Sequence, residues 1–147
     1  MKPIIALLAI VALVAGCSGM QITDDTNNQA MAYLAGKGMA IGIYKVQPKA
    51  APPIEQAWMD MMGRSYGLAE IPAAEIQAFF NGVLIKEIPT LQNDPYGLSG
   101  DLAFFATLYG AQFTGGTMTT VQPIPMIVAK AFQAGYEGGR SIAMTIK

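Results

Sequence analysis

The chain has 147 residues, and 9 basic against 10 acidic side chains leave a formal net charge of −1. Charged residues make up 13% of it, compared with about 25% in typical soluble proteins, and the scattered basic residues argue against nucleic-acid binding, which needs a clustered positive surface. With no histidine and one cysteine, the chain can form neither a Ser-His-Asp triad nor an intramolecular disulfide.

Residues 1–16 have the order of features of a secretory signal peptide. The first three residues form a short basic segment, and residues 4–14 form an unbroken apolar run. The small residues Ala15 and Gly16 then precede Cys17. The apolar run is shorter than the roughly 20 residues that a transmembrane helix needs. The pattern therefore favours a cleaved signal over a membrane span.

The segment that ends at Cys17 resembles the lipobox of bacterial lipoproteins, in which small residues precede a cysteine. The resemblance implies cleavage before Cys17, acylation of this residue and attachment to a membrane through the acyl chains. It also implies a location in the bacterial cell envelope. A serine, Ser18, directly follows the cysteine. This order resembles the pattern of outer-membrane lipoproteins that face the periplasm in Gram-negative bacteria. The alternative is a plain secretory signal that leaves a free thiol.

Residues 17–26 are short and polar and predict a tether, with a helical domain over residues 27–147. A first helix is predicted from about Asn28 to Tyr44, because Asp and Thr residues before it are good N-caps. Residues 47–53 contain three prolines and predict a linker. A second helix begins near Pro53, with Glu55 in its first turn.

A third helix is predicted from Pro72 to Ile88, and Pro89 ends it. Ser99 is a candidate N-cap of a fourth helix, whose apolar stripe runs as far as Phe113. Residues 118–121 predict at most a short extended segment, and a fifth helix runs from about Pro125 towards the C-terminus. Clean alternation of apolar and polar residues is absent, so the sequence predicts an all-α bundle of about five helices.

Small residues recur at every fourth position in the first and last predicted helices. Glycine inside a helix costs about 1 kcal/mol relative to alanine, and close approach of two helix backbones is the usual compensation. Three interpretations are open: packing of the two helices within one domain, self-association, or insertion into a bilayer. The predicted packing residues are Ala32, Gly36, Ala40, Ala131, Gly135, Gly139 and Ala143, with Gly38 and Gly42 on a neighbouring ridge.

No motif predicts catalysis, a metal site or a cofactor. The candidate carboxylate pairs are Glu55 with Asp60, Glu70 with Glu75, and Asp94 with Asp101. Glu55, Glu75 and Asp101 are explained by first-turn positions in helices and Asp94 by a turn. The sequence therefore predicts that the protein is not an enzyme.

A set of methionine and aromatic residues is the one candidate for ligand binding. Such side chains fill cores, and they also form adaptable binding surfaces. Two functions follow: a non-catalytic structural component that binds an envelope protein or a second copy of itself, or a carrier of an apolar small molecule. The possible binding residues are Trp58, Met61, Met62, Phe79 and Phe80.

Overall fold

The computed structural model describes residues 26–146, which form a mostly helical domain. Three of its helices are α1 (Thr26–Val46), α2 (Ala51–Arg64) and α4 (Gly100–Leu108). The last helix is α5 (Met126–Thr145). Helix α3 is continuous but has three parts, namely the α-helical Ala73–Phe79, the π-helical Phe80–Leu84 and the α-helical Ile85–Glu87. Two 3₁₀ turns lie at Pro48–Ala50 and Pro89–Gln92.

Helices α1 and α5 pack along each other at the centre of the domain and make its most extensive contact. Tyr33 lies against Gly135, and Lys37 lies against Gly139. Both partners advance by four residues between these contacts, so the two helices run parallel. The segment at the start of α4 runs the opposite way, since Leu98 lies against Gly42 and Ser99 lies against Gly38.

The expectation of an all-α fold is only partly correct. The described chain is 71% helical, but β1 (Glu70–Ile71) pairs with β4 (Ile124–Pro125), and β2 (Gln112–Thr114) pairs with β3 (Thr117–Thr120), both antiparallel. These strands have two to four residues each. They are too short to give a period-two signal in the sequence.

The β2–β3 hairpin turns through Gly115 and Gly116, which have φ angles of +60° and +79°. Positive φ at both central residues is what a two-residue hairpin turn of type I′ requires, and glycine adopts it without strain. The predicted fourth helix was therefore too long. It ends at Leu108, before Gly110 at φ +67°, and Phe113 lies on β2.

The predicted linker over residues 47–53 is also shorter than expected, because α2 already begins at Ala51. Pro52 and Pro53 lie in its first turn, where the missing N–H groups have no intrahelical acceptor in any case. The predicted N-cap Ser99 is confirmed, since its Oγ accepts a hydrogen bond from the backbone N–H of Leu102 at 3.0 Å.

A single cluster of buried apolar side chains, drawn from all five helices, forms the core. Among the described residues, no helix has both the length and the apolar character needed to cross a membrane. Among the most completely buried side chains are Ile43, Ile54, Met61, Ile88 and Val128.

Candidate functional site

The glycine stripe lies where α1 and α5 touch. A Cβ atom on Gly135 would overlap the carbonyl oxygen of Tyr33, and one on Gly36 would overlap that of Phe132. At Gly139 it would meet the carbonyl of Lys37. The two backbones are therefore in direct contact, as only residues without a side chain permit.

The predicted packing alanines differ in burial. Ala32 and Ala40 are buried, and a Cβ on Gly139 would lie 3.0 Å from the Cβ of Ala40. Ala131 and Ala143 are partly exposed. Gly38 and Gly42, on the neighbouring ridge of α1, do not lie against α5. They contact the segment before α4, at Ser99 and Leu98.

Three aromatic rings from three helices meet beside this helix pair. Trp58 of α2 stacks on Phe132 of α5, with ring centroids 5.0 Å apart and an interplanar angle of 29°. Its ring also lies edge-on to Phe79 of α3, with centroids 5.6 Å apart. Such arrangements stabilise a core beyond the area they bury, by about 0.5–1.5 kcal/mol per pair.

Two cavities adjoin at this aromatic cluster and share four wall residues, Met39, Trp58, Phe79 and Phe132. The first, which we call the polar-rimmed cavity, has a volume of about 90 Å³. The second, which we call the apolar cavity, has a volume of about 80 Å³. The polar side chains around the first are Glu55, Gln133, Tyr136, Glu137 and Arg140.

The predicted binding residues divide between these cavities and the core. Trp58 and Phe79 line both cavities, and Phe80 lines the apolar one. Met61 is 1% exposed and lies in the core, and Met62 packs against the core; neither lines these two cavities. Sequence reasoning missed Met39 and did not group Phe132 with Trp58, because these residues are distant along the chain.

Glu55 has a different role from the one expected of it. Since α2 begins at Ala51, Glu55 lies beyond the first turn. Its Oε1 accepts a hydrogen bond from the Tyr44 hydroxyl at 3.0 Å, and its Oε2 accepts one from Nη1 of Arg140 at 3.2 Å. Glu55 therefore connects α2 to both α1 and α5. Glu75, by contrast, does lie in the first turn of its helix, and it also pairs with Arg64 at 2.8 Å.

Two buried polar atoms belong to residues that line the polar-rimmed cavity, namely Nε1 of Trp58 and the hydroxyl of Tyr136. Nε1 of Trp58 has no hydrogen-bond partner among the described residues, whereas the Tyr136 hydroxyl lies beside the Glu55 carboxylate. Burial, with the nearby Glu55 carboxylate as a smaller cause, raises the pKa of Tyr136 well above its ordinary value. The hydroxyl therefore stays protonated at neutral pH, and both atoms are hydrogen-bond donors.

The Trp58 N–H, unpaired within the described part of the chain, is a free hydrogen-bond donor beside aromatic rings. Such a donor can hold a small neutral molecule that carries a hydrogen-bond acceptor. Within residues 26–146, no group of three acidic or thiol side chains comes together as a metal site would require. Comparison of the chain with protein-family models, with curated proteins and with solved structures finds no match. The predicted lipidation site, Cys17, lies outside the described residues.

Proposed function

We propose that the protein is a lipid-anchored lipoprotein of the bacterial cell envelope, with a non-catalytic structural or partner-binding role. The observation that carries the proposal is Cys17, the only cysteine, which directly follows a signal-peptide-like segment and the small residues Ala15 and Gly16. Two or three acyl chains hold a protein firmly to a bilayer, at about 0.8 kcal/mol per buried methylene. The folded domain then acts at a membrane surface.

The packing of the domain supports a structural role over a carrier role. Cavities of about 90 and 80 Å³ are small beside the roughly 300–1,000 Å³ of typical ligand pockets. The glycine contacts between α1 and α5 also tie the first and last helices of the domain together. A partner would therefore bind to the outer surface, where several large apolar side chains are exposed.

The anchor is tested by mass spectrometry of the mature N-terminus from the native envelope. We expect a chain that begins at Cys17 and carries diacylglyceryl and an amide-linked acyl chain. Cys17→Ala should abolish the modification and leave an uncleaved precursor or a protein released from the membrane, whereas the control Ser18→Ala should remain acylated. An unmodified thiol at Cys17, or cleavage elsewhere, would contradict the proposal. Crosslinking and affinity purification of the acylated protein from the same envelope then identify its partner.

The second candidate, a carrier of a small apolar molecule, is favoured by one observation. The unpartnered Nε1 of Trp58 lies on a residue that lines both cavities. Acetophenone and benzene are suitable probes, because both are flat and only the former has a hydrogen-bond acceptor. If the protein is a carrier, acetophenone should raise its Tm more than benzene does. Trp58→Phe keeps an aromatic ring but removes the donor, so it should abolish this difference between the two probes. Equal melting temperatures with and without both probes would eliminate this candidate.

A further inference from the structure

Because α1 and α5 run parallel, both helices begin at the same end of the domain. Tyr33 lies seven residues after Thr26, and its partner Gly135 lies nine residues after Met126. At 1.5 Å per residue, the two helix starts differ by only about 3 Å along the axis. We call this end of the domain the tether end, because the chain from Cys17 enters α1 there.

The loop after α2 lies at the tether end as well. The backbone N–H of Met126 donates to the carbonyl oxygen of Ala69 at 2.8 Å, and β1 pairs with β4 immediately beside this bond. The loop is therefore fixed against the start of α5. It carries two exposed apolar side chains, Tyr66 at 90% and Leu68 at 49%, while Ile127 in the first turn of α5 is 50% exposed. These three residues form what we call the tether-end surface.

The exposed apolar side chains of the tether end lie in two uncharged stretches, residues 65–69 and 121–129. The charged residues Arg64, Glu70 and Lys130 border these stretches. Charged side chains are therefore present at this end too, and it is the attachment of the tether that distinguishes this end from the opposite one.

The length of the tether limits where the domain can lie. Between Cys17 and Thr26 there are eight residues, which span at most about 30 Å when fully extended. The acyl chains at Cys17 belong to the proposed function, on which this inference rests. Given that anchor, the short tether holds this end of the domain nearest to the bilayer.

We propose that the tether-end surface lies on the lipid bilayer into which the Cys17 acyl chains insert. Exposed Tyr side chains suit the headgroup level, where one end is apolar and the other hydrated. Leu68 and Ile127 enter the boundary with the acyl chains, as the apolar faces of interfacial proteins do, about 5–10 Å deep. The opposite end, where α1 and α5 finish, is then directed away from the membrane and is available to a protein partner.

The test uses the acylated full-length mature protein in vesicles of phosphatidylethanolamine and phosphatidylglycerol. A thiol introduced by Leu68→Cys or Ile127→Cys is labelled with an environment-sensitive fluorophore. Cys17 does not react, because transfer of the diacylglyceryl group has converted its sulfur to a thioether. Met144→Cys, near the end of α5, and Val46→Cys, at the end of α1, are matched controls at positions 59% and 60% exposed. Lipids that carry a quencher in the acyl chain report contact with the bilayer.

We expect the labels at positions 68 and 127 to shift their emission to the blue and to lose most of it to the lipid quencher, and those at 144 and 46 to do neither. Equal quenching at both ends, or none at 68 and 127, would overturn the proposal. A blue shift without lipid quenching would also overturn it, because a protein or a second copy would then cover this surface. Mass spectrometry and flotation of each sample establish acylation first, so that failure of the anchor is distinguished from failure of the contact.

Discussion

Gly135→Ala tests the contact between α1 and α5 with the smallest possible side chain. Besides overlapping the Tyr33 carbonyl oxygen, the new Cβ would lie 2.7 Å from the carbonyl carbon and 2.8 Å from the Cα of Tyr33. Comfortable carbon contacts are about 3.5–4.0 Å, so the helices would have to separate by about 1 Å. All the neighbouring atoms are backbone, and rotation of a side chain therefore cannot relieve the overlap.

Overpacking of this kind costs about 1–3 kcal/mol and occasionally more, whereas the better helix propensity of alanine returns up to about 1 kcal/mol. We expect a net loss of about 2 kcal/mol, because the backbone contact places this site at the upper end of the range. For about 120 residues, an unfolding entropy of about 2.1 cal/mol/K per residue converts this loss to a decrease of about 8 °C in Tm.

The control is Gly63→Ala in α2, where a Cβ would have no neighbour within 4 Å. Here only helix propensity changes, so we expect stabilisation of up to about 1 kcal/mol. Gly138→Ala is a second control on α5 itself, because its nearest neighbour is the movable hydroxyl of Tyr33 at 3.2 Å. Thermal melts of the domain from Ser18 onward, followed by circular dichroism, compare the three variants with the wild type.

The sign of the change in Tm caused by Gly135→Ala shows whether α1 and α5 are in backbone contact at this site. A Tm equal to or above that of the wild type would refute the helix contact. The melts are repeated over a range of protein concentrations. A loss independent of concentration places the contact within one chain, and a loss seen only where the wild type associates would move it to a subunit interface.

Two further predictions concern buried polar groups. Because the pKa of Tyr136 is raised in the folded state, its contribution to stability is complete below the ordinary tyrosine value of about pH 10 and is lost as the pH rises through the raised pKa. We expect the urea concentration at the unfolding midpoint to decrease as the pH rises above about 10, and Tyr136→Phe to make this decrease smaller. An identical pH profile for this variant would contradict the raised pKa of Tyr136. Ser65 is 0% exposed, and its Oγ has no partner among the described residues. Burial of an unpaired hydroxyl costs about 1–3 kcal/mol, so Ser65→Ala should raise the midpoint in urea unfolding, and a lower midpoint would mean that the hydroxyl is hydrogen-bonded.

Local sequence determined the approximate positions of the helices, although it did not determine where α4 ends. Prolines mark where α2 and α5 can begin and where α3 must end. Ser99 caps α4 through a hydrogen bond with Leu102, only three residues further along the chain. Such signals act within one helical turn, so they can be read without knowledge of the rest of the chain. The spacing of Gly36, Gly135 and Gly139 likewise marks surfaces that need close packing, although spacing alone does not say which surfaces meet.

Tertiary structure decided everything that depends on residues distant in the chain. Phe79, Trp58 and Phe132 meet only because three helices converge, and Glu55 became a link between helices because Tyr44 and Arg140 lie 11 and 85 residues away from it. The parallel course of α1 and α5 follows from their backbone contacts. Together with the hydrogen bond between Met126 and Ala69, it brings Leu68 and Ile127 to the end where the tether enters. Periodicity and capping carry no information on which helix neighbours which, since that choice is made by side-chain shape across the whole core.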